Sequence, residues 1–296
     1  ELTYVDTGGN NGNEVTGSSY GANSSVTLSG SGDVGFGTVS VTRTLNDTNA
    51  GWGSSFQTLD MGDMGVLSFD STGGALVGIK ANDDLLPTAY EEAWTGVSGS
   101  GVTGSGSTNV IGYRNSFGIF SISAGYSAHG TATAESASSG VGAHGSVTDI
   151  YVSASPIDGL TIGAGHADDS SANTSTTSEN TQEFVAQAVY SMGPVSFGYR
   201  VAESNKGAAA TASRTVEAYS VAFNVNDNFA ISVGSQDTEK EAISATAAVT
   251  EGVTGISAAY TSGAASVRVN HSKADNDNGV LATDDETTEV SLVLSF

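Results

Sequence analysis

The chain has 296 residues, 39 glycines, three prolines, no cysteine and a formal net charge of −23. That charge argues against a nucleic-acid binder, which needs a basic footprint, and the missing thiols exclude disulfides and thiolate metal sites. No run approaches the roughly 18 apolar residues of a membrane helix, but a membrane wall built of strands needs only segments of about ten alternating residues.

In chain order, Glu1–Val5 reads as a short strand leading into a Gly/Asn-rich loop through Asn23. Ser25–Ser29 and Thr38–Thr42 alternate polar and apolar residues on either side of Gly30-Ser31-Gly32-Asp33. Ser54–Met61 and Gly65–Asp70 flank a turn at Gly62-Asp63. Ser71–Thr108 follows, a long Gly-, Ser- and acid-containing segment between two well-patterned strands. A loop of this length in a compact chain is functional or a wrong assignment, and it reads here as an insertion folding into the bore of a β-wall.

Asn109–Asn115 and Ile119–Tyr126 come next, then paired strands at 147–155 and 160–167, 183–191 and 195–203, 215–225 and 229–235, 250–260 and 265–272, with 286–296 last. That makes about sixteen strands joined alternately by tight turns and long polar loops. A soluble sandwich mixes its connection lengths, whereas an up-and-down barrel alternates them strictly. The expected fold is therefore all-β, one transmembrane antiparallel barrel over residues 1–296 with an inward-folded constriction loop at 71–108. With no leader at its amino end, the chain reads as the mature form of an exported protein.

The faces agree with a membrane barrel. Val290, Leu292, Leu294 and Phe296 fall on one side of the last strand, and Val195, Phe197, Tyr199 and Val201 on one side of another. With that apolar side turned to lipid, Arg200 points inward, as do Arg114 and Arg268 by the same parity. Arg43 shares the parity of Val39 and Val41, and a bulge, the membrane rim and a subunit contact all remain open for it. Tyr4, Phe117, Tyr126, Tyr190, Phe229, Tyr260 and Phe296 near strand ends suit interfacial girdles.

Four pieces resemble the trimeric, sixteen-stranded general porins of Gram-negative bacteria. They are Ser29–Gly35, Phe56–Leu67, Ile111-Gly112-Tyr113-Arg114-Asn115-Ser116-Phe117-Gly118 and the terminal strand closing on Phe296. Asp84-Leu85-Leu86-Pro87 is similar to a segment carrying a constriction carboxylate, which implies a pore role for Asp84 and a place for Arg114 in the opposing basic ladder. The resemblance implies a homotrimer in the outer membrane, in contact with lipid and lipopolysaccharide, passing small polar solutes and ions. Two features depart from that pattern: the acidic Gly-Gly tip after Pro87 is absent, and Ser71-Thr72 stands where a wall arginine is expected. The candidate constriction acids are thus Asp83, Asp84, Glu91 and Glu92, and the candidate wall bases Lys80, Arg114, Arg200 and Arg268.

Other chemistry is weaker. Gly30-x-Gly32-x-x-Gly35 and Gly99-x-Gly101-x-x-Gly104 match a dinucleotide fingerprint but lead into no helix. His129, His144, His166 and His271 show no ligand spacing. Asp275, Asp277, Asp284 and Asp285 make an oxygen-rich outer loop without EF-hand spacing, a candidate for bridging Ca2+, and no cofactor is required. The expected function is passive diffusion with a preference for cations, and no catalysis. The alternatives are an acidic β-rich adhesin, which gives no reason for the alternating turns, and an outer-membrane hydrolase, which needs a Ser–His pair.

Overall fold

The computed structural model describes residues 1–10, 17–22, 24–46, 52–73, 76–99, 101–106, 108–128, 146–170, 180–206, 213–242 and 248–294. The first strands are β1 (Leu2–Gly9), β2 (Gly17–Ala22), β3 (Ser25–Asp33), β4 (Thr38–Asn46), β5 (Trp52–Asp60), β6 (Val66–Thr72), β7 (Val110–Phe117) and β8 (Phe120–Ala128). Longer ones follow: β9 (Ser146–Ile157), β10 (Leu160–Asp169), β11 (Thr181–Met192), β12 (Val195–Asn205) and β13 (Arg214–Asn226). The last four are β14 (Phe229–Lys240), β15 (Val249–Ser262), β16 (Ala265–Asp275) and β17 (Asp284–Leu294).

Every pairing with an assigned register is antiparallel. The ladder runs from β3 through consecutive strands to β17, then to β1 and on to β2. Among the described residues seventeen strands thus stand where about sixteen were expected. The addition is β2, which the sequence reading placed in a loop. Gly17-Ser18-Ser19-Tyr20-Gly21-Ala22 has little strand propensity, and its extended form comes from pairing with β1, from Leu2↔Ala22 to Thr7↔Gly17. The antiparallel steps make β2 and β3 run in the same direction, and only two residues separate them. Together they form one interrupted span, which restores sixteen crossings. The expectation of a closed wall needs correcting: among the described residues no register joins β3 to β1, so the ladder has a seam.

Alternation decides the faces. Phe197 and Tyr199 of β12 are exposed on the outer surface, whereas Gly198, Arg200, Ala202 and Ser204 between and beyond them are buried inside. Phe117, Tyr126, Tyr190 and Tyr260 are exposed on the outside, as a girdle requires; Phe296 lies outside the described residues. Hydroxyl pairs line the inside at the turn end: Ser116–Ser121 at 2.9 Å, Ser191–Ser196 at 2.8 Å and Thr261–Ser266 at 2.8 Å. Strands β1–β8 have 6 to 9 residues and β9–β17 have 10 to 14, so the wall is low on one side and tall on the other. Most of the buried apolar residues form two clusters, both between the inner wall and the segment that joins β6 to β7.

Candidate functional site: the constricted lumen

The segment between β6 and β7 lies against the inner wall of the tall side. Its apolar residues Ile79, Leu86, Ala93, Trp94, Val97 and Val102 are buried there, while Val77 is buried against Gly112 of β7 and Gly125 of β8. Ile79 and Val102 pack with Tyr151, Ala167, Val185, Ala202 and Val216. Leu86, Ala93, Trp94 and Val97 pack with Ala218, Val253 and Ala274. The wall makes room by omitting side chains. Gly198 on β12, Gly234 on β14 and Gly255 on β15 face inward along the path of the loop. A Cβ at Gly198 would meet Pro87 Cδ at 2.5 Å, and one at Gly255 would meet Ala93 Cα at 2.5 Å and Ala93 O at 2.8 Å. Gly234 and Gly255 are cross-strand partners, so Ala93 sits in a two-glycine notch.

Polar contacts complete the seat. Going out along the loop, Gly78 N donates to Ser123 Oγ (2.8 Å), Ala89 N to Ser232 Oγ (2.9 Å) and Tyr90 N to Ser257 Oγ (3.2 Å). Coming back, wall carboxylates receive the backbone. Glu183 Oε2 accepts from Thr103 N and Gly104 N, each at 2.8 Å, and Asp149 Oδ2 accepts from Ser105 N at 2.7 Å. Glu251 accepts from Ser98 Oγ at 3.2 Å. A charged acceptor shared by two amides is among the stronger hydrogen-bond arrangements, and removing it strands both donors. Glu183→Ala should cost about 1–3 kcal/mol for each donor left unsatisfied. The checks are the urea midpoint in detergent and the open-channel noise; a variant that matches wild type in both would show that the returning limb is held by packing alone.

The candidate charges divide into groups. Asp83 is buried and lies 3.4 Å from Lys80 Nζ, while its backbone carbonyl accepts from Arg200 Nη1. Arg200 is wholly buried under the loop, donates to Gln236 Oε1 at 2.9 Å and stacks on Trp94 with its guanidinium carbon 4.7 Å from the ring centroid. Arg268 lies 5.4 Å over the Tyr90 ring, whose hydroxyl donates to Glu289 at 2.5 Å. Glu91 and Glu92 both accept from Thr95 Oγ1, at 3.3 and 3.1 Å. Asp84, Glu91 and Glu92 are half-buried, and the ionisation of Asp84 and Glu91 is perturbed in one direction. Burial first, and the adjacent Glu92 carboxylate second, push Asp84 up to about 8, against the pull of Arg200. Burial, with Glu92 and Glu289 as further negative charges, also raises Glu91. Burial and the Glu289 hydrogen bond hold the Tyr90 phenol protonated well above its usual range.

Arg114 lies apart from this group. It faces inward on β7 in one row with Val66 and Ser123 and lines a cavity of about 630 Å³ with Asp60, Asn82, Ser121, Tyr151 and Ser153. Of the outer-loop acids, Asp275 and Asp284 are cross-strand partners, with Asp275 accepting from Lys273 Nζ at 2.8 Å, while Asp277 is buried and Asp285 lies next to Asp284 on β17. Among the described residues no group of three or more His, Asp or Glu side chains is placed to hold a metal ion. His271 Nδ1 lies 2.9 Å from Thr288 Oγ1 on the outer face, His166 stands on β10, and His129 and His144 lie outside the described residues. The glycine notches and the wall carboxylates Asp149, Glu183 and Glu251 did not stand out in the sequence. Their only signal there is an inward parity inside strands.

No curated protein matches the chain in sequence. In structure it is similar to OmpT, an outer membrane protein of Vibrio cholerae, at a TM-score of 0.68 and 15% identity, over 100% of this chain and 95% of that one. It is similar to an anion-selective porin from Comamonas acidovorans at a TM-score of 0.67 and 16% identity, over 100% of this chain and 99% of that one. A Salmonella typhi OmpF in complex with daunomycin superposes at a TM-score of 0.68 and 12% identity, over 99% of this chain and 96% of that one. Identities this low speak for the fold alone. The family model described as Gram-negative porin matches residues 1–296, so the chain, with its strand wall and inward-seated loop, belongs to the Gram-negative porins and is a channel of the outer membrane.

Proposed function

We propose that the chain is a passive, cation-preferring diffusion channel for small hydrophilic solutes and ions. The fold cannot decide the sign of the preference, because an anion-selective porin shares it. The observation that carries the reading is how unevenly the loop treats the two signs of charge. It covers Arg200, pairs Lys80 with Asp83 and lays Tyr90 against Arg268, yet leaves Asp84, Glu91 and Glu92 half-buried beside one another. Rings of carboxylate in a narrow, low-dielectric passage favour cations, and salt weakens the effect by shortening the field's reach. The net charge of −23 acts in the same direction at longer range.

A homotrimer is part of this reading. A trimer form of the Vibrio OmpT is among the similar structures, and β1 and β4–β8, with 7 to 9 residues each, stand at or below the roughly 9 to 11 of a membrane-spanning strand. Arg43 supports it. Its parity places it on the outer face of β4, where Nη1 donates to the carbonyls of Thr42 (2.9 Å) and Phe56 (3.2 Å). A subunit contact would keep that guanidinium out of lipid. The tall wall would then face lipid and lipopolysaccharide.

Planar-bilayer recordings test both parts. Openings should come in groups of three, and the reversal potential in a salt gradient should have the sign of cation selectivity. Glu91→Gln with Glu92→Gln should shift that potential towards zero by a third or more of its value. A reversal potential of the anionic sign, or one that the double substitution leaves in place, would refute the acidic constriction. Single-step openings from a particle of monomer mass would refute the trimer.

A further inference from the structure

The chain has nine lysines and arginines against 32 acids, and Lys206, Arg214 and Lys240 meet at one corner of the lumen. Arg214 opens β13 and Lys240 closes β14. Both carry the inward parity of Val216 and Thr238, and they are direct cross-strand partners. Lys206 lies just past β12, whose Ser204 pairs with Arg214. The corner stands at the long-loop end of these strands, away from the turns at 193–194 and 227–228, so it borders the outer entry.

Like charges directly opposite each other destabilise a strand pair, and the carboxylates that would relieve this one are engaged. Glu183 lies 3.9 Å from Lys206 Nζ, but its oxygens already accept from Thr103 N, Gly104 N and Ser204 Oγ. Glu251 accepts from Ser98 Oγ and Asn278 N, and Asp277 Oδ2 accepts from Asn278 Nδ2. Among the described residues no ion pair joins Arg214 or Lys240 to a carboxylate. Arg214 Nε is shut off from solvent with no acceptor, so part of the guanidinium's hydration is lost without return. Two glycines keep the space beside the cations open. A Cβ at Gly279 would meet Lys240 Cδ at 2.6 Å and Nζ at 3.3 Å. One at Gly101 of the constriction loop would meet Val216 Cγ2 at 2.6 Å and Arg214 Cδ at 4.0 Å.

We infer that Arg214 and Lys240 form a binding site for a phosphate-sized oxyanion, the phosphate or phosphomonoester group of a solute at the outer entry. The guanidinium offers a planar fork of N–H donors and the ammonium a compact point charge. A tetrahedral, doubly charged oxyanion accepts from both at once, and it removes the repulsion between them. The formal charges of Lys206, Arg214 and Lys240 cancel those of Glu183, Glu251 and Asp277. The site therefore holds its anion weakly, as a solute in passage requires. The inference rests on the chain being a channel and not on the sign of its selectivity, so its failure would leave the acidic constriction standing.

Inorganic phosphate is the probe, used with the full chain at constant ionic strength. Its phosphorus NMR line should broaden several-fold in the presence of the detergent-solubilised protein and regain its free width with Arg214→Gln/Lys240→Gln. Lys240→Arg keeps both charges and should keep the broadening, which separates loss of the site from loss of the fold. Lys273→Gln removes a cation from the outer face and should also leave it in place. In planar bilayers, phosphate in the chamber facing the long loops should interrupt the current several-fold more often than phosphate in the other chamber. Broadening that survives in the double variant, or that Lys273→Gln removes as fully, would overturn the site. Interruptions equally frequent from both chambers would overturn its place at the outer entry. Acetate that displaces phosphate as well as sulfate does would overturn the choice of a doubly charged oxyanion.

Discussion

Gly255→Val should lower the single-channel conductance by moving the constriction loop off the wall. A Cβ at this position would stand 2.5 Å from Ala93 Cα and 2.8 Å from Ala93 O, and both obstacles are backbone, so no side-chain rotation relieves them. The strand cannot yield in the other direction, because from Gly252 to Tyr260 β15 is in continuous register with both β14 and β16. The loop must therefore shift into the lumen, taking with it the packing of Ala93, Trp94 and Val97 against Ala218, Val253 and Ala274. Overpacking of this kind costs about 1–3 kcal/mol, which the heat or urea transition in detergent would read alongside the conductance. Gly30→Ala is the control, since nothing lies within 4 Å of a Cβ there. An unchanged conductance in Gly255→Val, with the protein folded, would mean that Ala93 does not set the bore.

The same glycine shows where sequence reasoning reaches and where it stops. Period-two alternation is a local property, so Phe197, Arg200, Tyr219 and Val290 could be given their faces from their own strands, and Arg200 does point inward. Turn and loop lengths are local as well, which is why the up-and-down wall was legible. Gly198 and Gly255 carry their meaning only when a segment more than 100 residues earlier lies against them. The same holds for Glu183, which reads as a lumen charge until the amides of Thr103 and Gly104, some 80 residues away in the chain, are found on it. β2 escaped notice because its residues have no strand preference of their own and its pairing with β1 supplies the order. The burial of Arg200 also depends on the loop, through the Asp83 carbonyl and the Trp94 ring. An inward glycine in mid-strand, flanked by outward aromatics as in Phe197-Gly198-Tyr199, is the one mark that a closer reading of the sequence can use. A lumen position left without a side chain, amid residues otherwise chosen to fill a wall, suggests that another part of the chain approaches there.

Cation preference should rise with pH between about 7 and 9, and Asp84→Asn should abolish that rise. Burial and the neighbouring Glu92 hold the Asp84 carboxyl up to about 8, so at neutral pH it is mostly uncharged and the constriction bears less negative charge than its composition suggests. Titrating it adds one charge to a passage already bordered by Glu91 and Glu92, where screening is weak and each charge counts for more than it would in bulk water. The reversal potential in a fixed salt gradient, followed against pH, reads the change directly. The linked stability has a definite sign. The seated loop binds the Asp84 proton more tightly than an exposed carboxyl with the usual value of 3.8 does. Its seating is therefore most favourable below that value and weakens as pH rises from there to about 8, after which the dependence ends. The loop should accordingly be easier to release, by protease or by denaturant, at pH 9 than at pH 6, and the difference should shrink in Asp84→Asn. Asp84→Asn keeps the shape of the side chain and removes only its charge, so the two readouts separate electrostatics from packing. A selectivity curve that is flat from pH 6 to 9 in the unsubstituted channel would show that Asp84 is ionised throughout. The half-buried pair of Asp84 and Glu92 would then have to be neutralised by a bound cation instead of a shared proton, and added divalent ions should in that case block the current.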